Sequence, residues 1–194
     1  MSALLLGLIL FIGTHSVRIV ADDWRTRTRQ RIGANRYKAI YSVLTAVGFV
    51  LLVWGYGQAR HDSRLLWVAP AGLYHATAGL MLVAIVMLMG AHFKRSAISV
   101  KLRHPMLWSV VVFSAAHLLV NGRVADAVLL GALGAWGLAN LISCYLRDVV
   151  EGTTYPSPTL KATALNLIAG AVVYVGFAFW LHEPLIGVRP IFSA

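Results

Sequence analysis

Four histidines lie inside or at the edge of long apolar runs: His15 in LILFIGTHSVR, His75 in LYHATAGLMLVAIV, and His104 and His117 in KLRHPMLWSVVVFSAAHLL. An ionisable ring at such depth is costly and normally faces the interior of a helix bundle with a partner. Neutral imidazole is also an iron ligand, and haem accepts it axially. His61 falls in a connection, and His92 and His182 fall at the ends of apolar runs, so these three are expected to be solvated or interfacial. His104 and His117 are thirteen residues apart, roughly 20 Å along one helix, and cannot share one iron. His75 and His117 belong to different runs and reach similar depth, so they can supply two axial ligands to a haem between helices. The plainer alternative is that each histidine hydrogen-bonds a carbonyl of a neighbouring helix.

Other chemistries lack their residues. Zinc favours four ligands from histidine, cysteine and carboxylate, and no carboxylate lies deep in an apolar run; Asp126 and Glu183 are near run ends. There is no HExxH, no glycine-rich phosphate loop, and no Ser-His-Asp set on facing elements. The single cysteine, Cys144, rules out an intramolecular disulfide or a cysteine metal cluster.

The elements that must position these histidines are transmembrane helices. The chain is 59% hydrophobic and only 12% charged, with mean hydropathy +0.73. Apolar runs long enough for a hydrocarbon core of about 30 Å recur throughout, and a backbone at that depth must be helical. The pattern predicts an all-α polytopic bundle forming a single transmembrane domain, 1–194. Its six spans are placed at about 2–21, 37–57, 71–91, 105–120, 126–145 and 161–181. The fourth opens on Pro105, suited to a first helical turn, and is short. The first reads as a retained helix and not a removed signal peptide.

A net charge of +10 invites a nucleic-acid reading, but the basic residues collect in the connections between runs. There they set topology and meet anionic headgroups, so no nucleic-acid partner is expected. Arg25, Arg27, Arg29, Arg31, Arg36, Lys38, Lys94, Arg95, Lys101, Arg103, Arg147 and Lys161 fall on one side, and Arg60, Arg64, Arg123 and Arg189 on the other. This places both termini on the non-cytoplasmic side. The arginine-rich first connection reads as a topology determinant, with docking of an acidic partner second. The small residues Gly131, Ala132, Gly134, Ala135 and Gly137 offer packing inside the bundle, with a dimer interface the second choice.

The runs LILFIGTHSVR, RYKAIYSVLTAVGFVLLVWGYGQAR and LYHATAGLMLVAIV, and above all KLRHPMLWSVVVFSAAHLLVNG, resemble the bacterial NnrU family. That resemblance implies a multi-pass protein of the bacterial inner membrane, associated with nitric oxide and nitrite metabolism in denitrifying bacteria. The family is in turn similar to zeta-carotene isomerase, a membrane enzyme using haem b for cis–trans isomerisation. Carried over by motif, His117 of AHLL is a haem ligand and His15 of THSVR a second ligand, with His75 the geometric alternative. Arg103 and His104 would contact haem propionates or anchor the helix end at the headgroups. The partners implied are the lipid bilayer and a hydrophobic small molecule or nitric oxide, with oligomerisation open. The functional expectation is thus a haem b protein handling nitrogen oxides, or a redox-dependent isomerase of a polyene lipid. The alternatives are a non-enzymatic accessory protein with structural histidines, and an isoprenylcysteine-type methyltransferase, whose Arg-His-Pro the chain shares without the glutamate pair that completes that site.

Overall fold

The computed structural model describes residues 1–190. Each apolar run is a helix: α1 (Ser2–Val20), α3 (Ala34–Ala59), α4 (Gly72–Gly90), α6 (Pro105–Val120), α7 (Val124–Glu151) and α8 (Leu160–Gly176). Five helical segments are long and apolar enough to cross a membrane: Ser2–Val20, Ala34–Ala59, Gly72–Gly90, Val124–Glu151 and Leu160–Ile186. The sixth, α6, has 16 residues and Pro at its start; at 1.5 Å per residue it spans about 24 Å. Large apolar side chains point outward, as Ile9 (71% exposed) and Val172 (65%) show, which suits lipid and not water.

Three shorter helices lie between or after the spans. The arginine-rich connection forms α2 (Asp22–Ile32), since arginine is a good helix former. Asp22 and Asp23 in its first turn and Arg29 and Arg31 in its last complement the helix dipole. Gly33 ends it at φ 89°. α5 (Ala97–Leu102) starts on Ser96, whose hydroxyl caps Ile98 N. After α8 the helix widens into a π turn over Phe177–Leu181 and closes with α9 (His182–Ile186).

The described residues form two compact units: Met1–Leu66 with Arg123–Ala132, and Trp67–Gly122 with 133–190. α7 therefore begins in the first and ends in the second.

In the first unit α1 and α3 run antiparallel at very close range. A Cβ on Gly55 would lie 2.3 Å from Leu4 N, one on Gly7 2.4 Å from Leu52 N, and one on Gly48 2.8 Å from Phe11 N. Only glycine lets these backbones approach so closely. Leu4, Leu8, Leu52, Ala59 and Ala125 form the core. Asp126, 5% exposed, joins α7 to it: Oδ1 accepts from Tyr56 Oη at 2.7 Å and Oδ2 from Arg123 N at 2.9 Å. The 60–66 loop is held to the same helix start. Ser63 Oγ accepts from Ala125 N, and Arg123 Nη1 donates to Ser63 O.

In the second unit small polar residues fill the interior. Thr77 Oγ1 donates to Ala116 O at 3.0 Å, tying α4 to α6. Ser99 Oγ donates to Gly90 O at 2.6 Å. Asn166 Nδ2 donates to Ser96 Oγ at 3.2 Å, and Ala97 N to Thr163 Oγ1 at 2.9 Å. Gly134 packs on Ser114 and Gly137 on Val110 and Val111, while a Cβ on Gly131 would meet nothing within 4 Å.

Candidate functional site

His15 and His117 stand in the same local arrangement, one in each unit. Each follows a phenylalanine by four residues, and in a helix that spacing stacks one side chain over the other. The Phe11 and His15 rings are 4.4 Å apart at 40°, the Phe113 and His117 rings 4.4 Å apart at 39°. In each, imidazole Nδ1 lies on the phenylalanine's carbonyl oxygen, at 2.7 Å for His15 and 3.1 Å for His117. A carbonyl only accepts, so Nδ1 carries the hydrogen and the lone pair resides on Nε2. His15 also meets Tyr41 edge-on at 5.6 Å. His117 is half-buried in the last turn of α6, one residue after the Ala116 carbonyl that binds Thr77.

His75 is exposed in the first turn of α4. Thr77 turns toward α6, and two helical residues separate directions by roughly 200°, so His75 projects away from His117. His182 Nδ1 binds Val188 O at 2.6 Å, and His61 and His92 are exposed. Among the described residues no three His, Cys, Asp or Glu side chains converge as a metal site. A haem asks for one or two such donors, so this finding bears on zinc-like centres alone.

His104 belongs to a different constellation, where α5 hands over to α6. It caps α6 and precedes Pro105. Its Nε2 lies 2.8 Å from Asp148 Oδ2, and Tyr155 Oη donates to the same oxygen at 2.7 Å. Tyr145 Oη donates to Leu102 O at 2.8 Å and receives Trp108 Nε1 at 3.0 Å. Burial and the adjacent carboxylate push the Tyr155 phenol up to about 12. Between these groups Arg103 sits at φ 58°, the only non-glycine residue with positive φ among those described. His104 N closes back on Leu102 O at 2.5 Å. This is a γ-turn of the rare, strained hand, costing on the order of 1–3 kcal/mol. The network around it holds that conformation in place.

The profile of the family described as NnrU protein matches residues 3–190. The chain belongs to the NnrU family. Searches of curated proteins and of solved structures gave no match.

Within this NnrU chain, the sequence brought forward His104 and Arg103 but not their surroundings. Hydropathy closes the fifth span at Tyr145, whereas α7 runs on to Glu151, so Asp148 falls outside the predicted span and Tyr145 and Tyr155 carry no signal of their own. A signal was present: antiparallel spans put the end of the fifth and the start of the fourth at one end of the bundle. A carboxylate just past a span end was the residue to pair with His104.

Proposed function

We propose that this NnrU-family membrane protein binds haem b with His117 as an axial ligand. In this reading it acts in nitric oxide- or nitrite-related metabolism, or as a redox-dependent cis–trans isomerase of a polyene lipid. The observation that carries the reading is the Nδ1–carbonyl bond of His117. It fixes the tautomer whose Nε2 coordinates iron, the orienting role that outer partners of ligating histidines play. The Phe113 ring limits imidazole rotation, and the Thr77–Ala116 bond steadies the backbone one residue away. Haem would supply a one-electron centre and an iron that takes a small ligand such as nitric oxide. His15, which carries the same tautomer-fixing bond, and His75 are both kept as candidates for a second ligand.

The test is the absorption spectrum of detergent-purified protein, oxidised and dithionite-reduced, with a pyridine haemochrome assay. A Soret band with sharp reduced α and β bands is expected, and H117A removes it. Loss of the low-spin spectrum in H15A or H75A identifies the second ligand. Stoichiometric haem in purified H117A defeats the assignment. A colourless wild type from haem-supplied cells transfers the reading to an accessory protein with structural histidines.

A further inference from the structure

We propose that Arg103 and His104 form a phosphate-binding site, and that the phosphate of an anionic lipid headgroup is its ligand. The site uses no iron ligand proposed above, and it assigns Arg103 and His104 to a lipid headgroup instead of to haem propionates.

The argument starts from the guanidinium. Arg103 is exposed, and none of the ion pairs among the described residues involves it. Its Cζ lies 6.0 Å from the Tyr145 ring centroid and 5.7 Å from that of Tyr155. Both phenol hydroxyls are used elsewhere, on Leu102 O and Asp148, so the tyrosines offer Arg103 their π faces. Contact through the faces leaves the N–H edges of the planar fork available, and those edges bind phosphate in bidentate fashion.

His104 supplies the second donor. Asp148 takes its Nε2–H, so Nδ1 is a donor only in the imidazolium form, on a side chain that is 21% exposed. When the ring is protonated, Nδ1–H donates to an oxyanion and Asp148 neutralises the imidazolium from behind. The carboxylate does not repel the ligand strongly, because Oδ2 accepts from both His104 and Tyr155 and the side chain is 11% exposed. The strained turn at Arg103 leaves both side chains beside the Tyr155 ring, with Arg103 Cζ 5.7 Å and the His104 ring 6.5 Å from its centroid.

Position selects the lipid as the source. The site lies at the start of α6 and the end of α7, where spans meet headgroups. Lys94, Arg95, Lys101, Arg147 and Lys161 belong to the same end of the second unit, against Asp148 and Glu151. That basic excess attracts anionic headgroups, and Arg103 and His104 give one of them a fixed seat.

The experiment is native mass spectrometry of full-length protein released from nanodiscs containing phosphatidylglycerol, alongside titration with inorganic phosphate. Wild type is expected to retain a phospholipid adduct that R103Q loses by about tenfold or more, the effect of deleting a charge-assisted bidentate contact. H104Q loses part of it, and K161Q, which removes one charge of the surrounding basic excess and not a site donor, loses far less than R103Q. If R103Q does not fold, R103K, which keeps the charge and loses the planar fork, and H104Q provide the same reading. Equal loss in K161Q and R103Q overturns the site in favour of diffuse charge, as does an adduct indifferent to every variant. Saturable inorganic phosphate binding that R103Q abolishes, with lipid adducts unchanged, overturns the lipid source. Haem content measured on the same samples separates this proposal from the one above.

Discussion

Substituting alanine at Gly55, Gly7 and Gly48 tests whether α1 and α3 are held at backbone contact. The new Cβ at Gly55 would lie 2.3 Å from Leu4 N and 2.6 Å from Ala3 C; at Gly7, 2.4 Å from Leu52 N and 2.6 Å from Leu52 Cα. Main-chain atoms cannot swing aside as side-chain tips can. Restoring an ordinary separation of about 3.5 Å requires the helices to part locally by about 1.2 Å at Gly55. Overpacking of this kind costs about 1–3 kcal/mol, and each kcal/mol moves a midpoint by about 2–4 °C at this chain length. Taking about 2 kcal/mol, G55A and G7A melt about 4–8 °C below wild type. G48A, whose Cβ would sit 2.8 Å from Phe11 N, loses less. G13A is the control on α1: nothing lies within 4 Å of its Cβ, and alanine's helix propensity favours it by up to about 1 kcal/mol. The assay is thermal unfolding in detergent by fluorescence-detected size exclusion. Equal midpoints for G55A, G7A and G13A would refute the close packing.

Two further outcomes are expected. Y56F should destabilise the protein by about 1.5–3 kcal/mol, the range for a hydrogen bond to a charged group. D126A should cost more, since it leaves both Tyr56 Oη and Arg123 N without their acceptor. A double-mutant cycle in which the two costs simply add shows that the pair is not coupled. Tyr155 should ionise near pH 12 instead of near 10 in folded protein, read as tyrosinate absorbance and assigned by its loss in Y155F. Because the folded state holds this proton more tightly, the group's stabilisation is complete below pH 10 and declines as pH rises toward 12. D148N should return the titration toward 10, and a Tyr155 that already ionises near 10 in wild type removes the carboxylate from the account.

The spans were readable because hydrocarbon imposes one length and one secondary structure on any segment within it. α6 keeps the limits 105–120 since Pro105 fixes its start and Asn121-Gly122 its end. α2 was not readable: apolar periodicity is the main helix signal, and a polar helix at a membrane edge has almost none. The α1–α3 contact was not legible because Gly7 lies in one span and Gly48 and Gly55 in another, and only the fold shows which glycines meet a neighbouring backbone. The glycines of α7 drew attention by being close in sequence. His104 and Asp148 are forty-four residues apart, and side-chain pairing over that distance leaves no local trace. The histidines of α1 and α6 were legible as unusual residues. Their shared dependence on a phenylalanine four residues earlier became visible only with the rings and carbonyls in place.

The division of α7 between the two units also sets an order on biosynthesis. α1 and α3 are adjacent in translation and can pair as soon as both have left the ribosome. Their unit is still incomplete then, because Ala125 and the carboxylate that receives Tyr56 lie in the segment 123–132. That segment emerges only after α4 and α6 have been synthesised. Until it does, the Tyr56 hydroxyl lacks its native acceptor, and the nascent N-terminal hairpin depends on the α1–α3 packing of its glycines with Leu4, Leu8 and Leu52. A chain truncated before Arg123 is therefore an intermediate open to quality control, and one extended through Ala132 has its first unit whole.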